Sequence, residues 1–182
     1  ASGHGDAGYV MSLAAAGDVN GDGYDDVIVG LPYFSDPARG QTGTAFVLFG
    51  SSSPANVDVA TLTPSQGFRI RGAAVKDSTG ATVAGVGDVN GDGIDDVGVG
   101  SVGANPSGNA VKGCVHVVFG SATVSDVDLA DPGARAVRFD GVASFDDAST
   151  SVSAGGDLNA DGIDDVVVGS PYASPQGRSA AG

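Results

Sequence analysis

Twelve of the chain's 22 acidic residues fall in three nine-residue stretches of one pattern, D-x-N-x-D-G-x-D-D. The first runs from Asp18 to Asp26, the second from Asp88 to Asp96 and the third from Asp157 to Asp165. Side-chain oxygens at positions one, three and five of a tight loop can converge on one point. The carbonyl at position seven and the carboxylate at position nine can close the shell. An all-oxygen, carboxylate-rich, flexible donor set suits Ca²⁺ better than Mg²⁺ or zinc. The candidate ligands are Asp18, Asn20, Asp22, the Tyr24 carbonyl and Asp26 in the first loop. They are Asp88, Asn90, Asp92, the Ile94 carbonyl and Asp96 in the second, and Asp157, Asn159, Asp161, the Ile163 carbonyl and Asp165 in the third. One calcium per loop, three per chain, is expected. Gly23, Gly93 and Gly162 at position six allow the backbone angles of so sharp a loop. Asp25, Asp95 and Asp164 at position eight are expected to point away or to cap the turn. The alternative is a plain Asp/Asn/Gly turn without metal. Four carboxylates packed into one turn repel without a cation, and the threefold recurrence favours the metal.

The residues beyond position nine exclude two other metal loops. An EF-hand needs glutamate at position twelve and an exiting helix. Position twelve here is Val29, Val99 or Val168, inside β-branched runs that predict a strand. A helical calcium repeat of the dockerin type fails on the same ground. The glycine-aspartate β-helix needs a nine-residue period, which the chain lacks.

The elements that carry these loops repeat with them. Asp18 to Asp88 is 70 residues and Asp88 to Asp157 is 69. An alternating small/apolar segment precedes each loop, at 9–16, 79–86 and 148–155, with Leu13, Val83 and Val152 in one register. It predicts strand 1. Strand 2 comes after the loop at 27–30, 97–100 and 166–169. Gly/Pro/Ser-rich connections lead to strand 3 at 44–49 and 114–119, each closing in Phe-Gly, and strand 4 is expected at 68–71 and 137–140. Four strands per ~70 residues, with turns between, predict an all-β chain of propeller blades.

These residues resemble the FG-GAP repeats of the integrin α-subunit β-propeller and its bacterial secreted relatives. The resemblance rests on the order D-x-N-x-D-G-x-D-D, V-x-V-G and a glycine-led F-V-x-F-G strand, and it covers essentially the whole chain. It implies blades of four antiparallel strands, with repeat 1 at 1–72, repeat 2 at 73–141 and a partial repeat 3 at 142–182. It also implies calcium in the loop between strands 1 and 2. The name-giving motif is degenerate: Tyr9-Val10, Thr79-Gly80 and Ala148-Ser149 stand at Phe-Gly, and Gly30-Leu31-Pro32, Gly100-Ser101-Val102 and Gly169-Ser170-Pro171 at Gly-Ala-Pro. The chain supplies about 2.6 repeats against the four to eight blades of a closed propeller. An incomplete propeller, completed by further blades of a longer chain or by self-association, is therefore expected.

Composition narrows the function. The formal charge is −14, and three divalent cations would bring it to −8, so the acidity is mainly that of the loops. With two lysines, Lys76 and Lys112, and no basic run, nucleic acid is not an expected partner. No apolar run reaches membrane-spanning length, so no membrane insertion is expected. Cys114 is the sole cysteine, which excludes an internal disulfide. The chain opens on Ala1 without a leader pattern and reads as a mature product or a piece of something longer.

No catalytic constellation emerges. His116 occupies the strand-3 position of Phe46 and reads as a packed histidine, with Cys114 on the same face. His4 lies in a Gly-rich stretch, and neither histidine has a sequence partner for a triad or a zinc site. Asp147-x-Ser149-x-Ser151 spells an adhesion-type metal motif, but its serines run into a strand. Asn105-Pro106-Ser107 is no glycosylation acceptor, because proline stands in the middle. The expected function is a non-enzymatic, calcium-binding module of a secreted or cell-surface protein, engaged in adhesion or protein–protein recognition, with a protein or glycan ligand. The alternatives are a structural subunit of an extracellular fibre or coat and an accessory propeller of a secreted hydrolase.

Overall fold

The computed structural model describes residues 12–105, 112–143 and 146–173. His4, Tyr9-Val10 and Pro106-Ser107 lie outside them. The fold is all-β, as expected, and its strands form successive propeller-type blades, the first two built on four antiparallel strands and the third showing two among the described residues.

In blade 1, β1 (Ser12–Gly17) pairs with β2 (Asp26–Leu31), and the first acidic loop is their connection. A small hairpin, β3 (Ser35–Asp36) and β4 (Gly40–Gln41), interrupts the route to β5 (Thr44–Leu48). β6 (Gly67–Arg71) completes the blade. Blade 2 repeats the plan with β7 (Thr79–Gly87), β8 (Asp96–Ser101), β9 (Cys114–Val118) and a fourth strand at Ala136–Asp140.

The connection from β9 carries β10 (Val127–Asp128), and it leaves blade 2 to pair in parallel with β6. Blade 1 therefore has the order β1-β2-β5-β6-β10, and its sheet boundary does not coincide with the repeat boundary at residue 72. Arg39 pairs with Asp128, and Arg71 with Asp126 at 2.7 Å, so charge as well as backbone fastens this clasp. β11 (Ala136–Asp140) then closes blade 2 against β9. Blade 3 shows β12 (Ser151–Gly156) and β13 (Asp165–Gly169).

The apolar residues of the strands meet between blades. Ile28, Val47, Phe68 and Ile70 of blade 1 form one cluster with Val83, Val97, Val99 and Val118 of blade 2. Val86 and Val117 of blade 2 meet Val152 and Val166 of blade 3 in another. Both faces of the inner strands are thus covered, and every residue of β8 and β9 is buried, without the alternation of a half-exposed strand. Fully burying one such side chain contributes roughly 1.5–3 kcal/mol.

His116 is buried in β9 opposite Val99 and Arg138, with Nδ1 3.9 Å from Cys114 Sγ. Burial pushes its imidazole down to about 4 and the Cys114 thiol up to about 11. Both groups are neutral packing residues at pH 7.

The Asp147-x-Ser149-x-Ser151 motif lies at a blade seam. Asp147 and Ser149 have φ of 49° and 90°, and the Thr82 hydroxyl donates to the Ser149 carbonyl at 2.7 Å. Ser149 stands where repeat 2 has Gly80, at φ 87°. Its buried hydroxyl has no partner among the described residues. Ser149→Gly removes a strained backbone and an orphaned hydroxyl together, against the entropy cost of a new glycine. It is expected to raise unfolding stability by about 1 kcal/mol, read from urea titration.

Candidate metal loops

Each acidic loop is a hairpin connection whose first aspartate gathers backbone N–H groups from further along the loop. Asp18 accepts from Asp22 N at 3.0 Å and from Gly23 N at 2.8 Å. Asn20 Oδ1 accepts from Asp22 N at 2.8 Å, and Asp22 Oδ1 from Tyr24 N at 3.0 Å. The second loop repeats these bonds with Asp88, Asn90, Asp92 and Ile94, and the third with Asp157, Asn159, Asp161 and Ile163. Position six takes φ of 86–89° in all three loops, and an added Cβ there would meet nothing within 4 Å. Glycine is required there by conformation alone.

The residues at positions one, three and five are brought together by these bonds; Asp18, Asn20 and Asp88 are half-buried and the other six are exposed. Their oxygens bond loop N–H groups, and each carboxylate keeps further lone pairs to offer. As they stand, no three acidic side chains among the described residues converge closely enough to hold an ion. The N–H groups of Gly93, Asp92 and Gly91 outweigh burial and hold the Asp88 carboxyl below the usual range.

Position nine behaves differently. Asp26 is buried at the start of β2, where Oδ2 accepts from Val19 N at 3.0 Å and Oδ1 from Gly50 N at 2.8 Å. Asp96 accepts from Val89 N at 3.0 Å and Gly120 N at 2.8 Å. Asp165 accepts from Leu158 N at 2.8 Å. In the first two loops the carboxylate thus pins the loop's second residue to the Phe-Gly that closes strand 3. Burial pushes Asp26 and Asp96 up to about 6. The two N–H groups oppose that rise, and the charges at positions five and one of the same loop add to it. These three carboxylates therefore sense one another, which is the electrostatic condition a divalent cation relieves.

In the second and third loops position eight points out of its own loop, as expected, but towards a target the sequence did not disclose. Asp95 Oδ2 accepts from Asp18 N of the preceding blade at 2.8 Å, and Asp95 N donates to the Asp18 carbonyl at 3.2 Å. Asp164 makes the same pair of bonds to Asp88, at 3.1 and 3.2 Å. Each carboxylate sits over the glycine before the preceding loop. A Cβ on Gly17 would lie 2.1 Å from Asp95 Oδ2, and one on Gly87 would lie 2.0 Å from Asp164 Oδ2. The signal available in the sequence was the Gly-Asp pair that enters all three loops.

The pattern of the FG-GAP repeat matches residues 4–48 and 148–182. The phosphatidylinositol-glycan-specific phospholipase D of Bos taurus is 29% identical over 175 residues, which is 94% of this chain and 19% of that protein. The Mus musculus phospholipase of the same name is 32% identical over 117 residues, 63% of this chain and 13% of that protein. Integrin alpha-PS2 of Drosophila melanogaster is 27% identical over 177 residues, 95% of this chain and 11% of that protein. The chain thus spans less than a fifth of the length of these relatives. Among the described residues no helix is long and apolar enough to cross a membrane. The chain is thus an all-β array of propeller-type blades that carries FG-GAP repeat matches and is similar to parts of integrin α subunits and of phosphatidylinositol-glycan-specific phospholipase D.

Proposed function

We propose that the chain is a calcium-stabilised, non-catalytic propeller module of a secreted or cell-surface protein, serving adhesion or protein–protein recognition. One observation carries the reading. Three loops present the same oxygen donors, each backed by a position-nine aspartate, and in the first two that aspartate is destabilised as an anion mainly by its burial, with the neighbouring carboxylates adding to it. Positions one, three and five, the position-seven carbonyl and position nine would hold the ion, and calcium would supply the positive charge that the loop lacks. Similarity to integrin alpha-PS2 supports a recognition role. A neutral buried His116 and a thiol pushed up to about 11 support a non-catalytic one. Similarity to the phospholipase D over 94% of the chain favours a second reading, an accessory propeller beside a catalytic domain.

Calorimetric titration tests the metal. The wild-type chain is expected to take up three calcium ions and Asp92→Ala two, because the loops belong to separate blades. Magnesium and zinc are expected not to compete at equal concentration. A wild-type stoichiometry near zero, or a preference for zinc, overturns the reading.

A further inference from the structure

Asparagine is followed by glycine at two places in the chain, Asn20-Gly21 and Asn90-Gly91, and both pairs stand at positions three and four of an acidic loop. The third loop has Asn159-Ala160 there. The carbon of a side-chain amide is an electrophile within reach of the next main-chain nitrogen, and attack by that nitrogen closes a five-membered ring. Glycine hinders the attack least, because no Cβ crowds its nitrogen.

The three loops hold the amide alike. Asn20 Oδ1 accepts from Asp22 N at 2.8 Å, Asn90 Oδ1 from Asp92 N at 2.9 Å and Asn159 Oδ1 from Asp161 N at 2.9 Å. Each bond spans the residue between, so the amide is folded back along the stretch that carries the attacking nitrogen. The donated N–H also faces the oxygen on which negative charge develops during the attack, as an oxyanion donor does. Position four has φ of 73° at Gly21, 74° at Gly91 and 61° at Ala160. Backbone and acceptor are thus shared, and the Cβ at position four is what differs. In the first two loops the amide's other end is held as well, Nδ2 donating to Asp22 Oδ2 at 2.9 Å and to Asp92 Oδ2 at 3.0 Å. Gly21, Asn90 and Gly91 are exposed. Blade 2 is packed on both sides, so the exposure of Asn90 and Gly91 owes nothing to what adjoins the chain.

We propose that Asn20 and Asn90 modify themselves in the folded chain. The nitrogen of Gly21 or Gly91 bonds to Cγ, the Cγ–Nδ2 bond breaks, and ammonia leaves with the proton of the glycine nitrogen. The ring so formed is a succinimide. Water then opens it at Cγ, leaving aspartate, or at the main-chain carbonyl, leaving iso-aspartate. One water enters, one ammonia departs, and nothing is oxidised or reduced. Either product adds a negative charge to a loop that already carries four carboxylates. Iso-aspartate also lengthens the main chain by one methylene between positions three and four, which displaces the bond to Asp22 N or Asp92 N. Asn159 is spared, because the Ala160 methyl crowds the nitrogen that would attack.

Peptide mapping by mass spectrometry tests this on the full chain, held in mildly alkaline buffer with chelator below its unfolding midpoint. Amide-to-acid exchange is expected at Asn20 and Asn90 at least about tenfold faster than at Asn159. Labelling by an isoaspartyl methyltransferase is expected at the same two sites. Two variants make position four the sole difference. Gly91→Ala copies the third loop, and its added Cβ meets the Ile163 side chain at 3.8 Å, an ordinary contact. It is expected to slow Asn90 about tenfold and to leave Asn20 unchanged. Ala160→Gly is expected to start the reaction at Asn159. Equal rates at the three asparagines, or an Asn159 unmoved by Ala160→Gly, overturn the proposal. A run in urea supplies the rate without structure. If the folded chain reacts about a thousandfold more slowly than that, the reaction belongs to the unfolded fraction and the proposal fails. None of this depends on the calcium reading, and a parallel run in millimolar calcium separates the two. A slower reaction there supports Oδ1 as a ligand, whereas an unchanged one upholds the modification and counts against ligation at position three.

Discussion

In excess chelator the chain is expected to unfold on the order of 20 °C below its midpoint in millimolar calcium. Binding to the folded state alone stabilises by RT ln(1 + [L]/Kd). At roughly 1 mM calcium, a loop with Kd near 10 µM adds about 2.7 kcal/mol, and three independent loops add about 8. That is comparable to the whole net stability of a domain. At submicromolar calcium the same loops contribute almost nothing, which ties stable folding to calcium-rich surroundings. Thermal scans in calcium and in chelator decide the matter. Midpoints agreeing within a degree or two mean that the loops are plain turns.

Acidity enters through three buried groups of opposite sign. Asp26 and Asp96 titrate near 6 in the folded chain, above the ordinary 3.8. Their contribution to stability is full below pH ~4 and is lost as pH rises through 6. His116 titrates near 4, below its ordinary 6.5, so its contribution is full above pH ~6.5 and is lost as pH falls towards 4. In chelator these slopes oppose each other between pH 4 and 6.5, and the chain is expected to show only a shallow dependence there. Calcium favours the charged carboxylates. Its stabilising shift is therefore expected to be larger at pH 7.5 than at pH 5, where Asp26 and Asp96 carry protons. An equal shift at both values excludes the position-nine carboxylates as ligands.

What could be read from the chain was local. Three loops and the strands beside them are written in short-range pattern, and the structure places strand 2 and strand 3 within a residue of the expected bounds. What escaped was set by the angle between blades. Nothing near Asp95 announces that its carboxylate crosses 77 residues of chain to reach Asp18. Nothing in Val127-Asp128 marks it as a strand, because its partner is the outer edge of another blade. The short hairpin at Ser35–Gln41 was likewise hidden in a Gly/Pro-rich connection. The acidic loop looks uniform in sequence, yet its aspartates divide into three tasks. Positions one and five shape the loop, position eight of the second and third loops locks onto the loop of the preceding blade, and position nine anchors the first two loops to strand 3.

That division predicts a sharp difference between two alanine substitutions in the same loop, measured in chelator so that metal plays no part. Asp92 is exposed, and its carboxylate bonds only groups of its own turn, Ile94 N and Asn90 Nδ2. Asp92→Ala is expected to change stability by less than about 1 kcal/mol. Asp96 is 0% exposed and holds two N–H groups, one of them the buried Gly120 N. Asp96→Ala leaves both donors without their acceptor, the buried Gly120 N and the part-buried Val89 N, at about 1–3 kcal/mol for a buried one. Relief of the buried charge offsets part of this at pH 7, since the carboxyl is pushed up to about 6. The Gly120 donor is not relieved in the same way, because Gly120 is buried against the Asp95 carbonyl and the Val19 carbonyl of blade 1. A net loss of about 2–4 kcal/mol is expected in urea unfolding at pH 7. Acidification is expected to widen the gap from wild type, because a protonated Asp96 no longer carries the charge penalty while the alanine still lacks the acceptor. Equal, small losses for both substitutions in chelator would mean that position nine serves the metal alone and that the loop needs no anchor to strand 3.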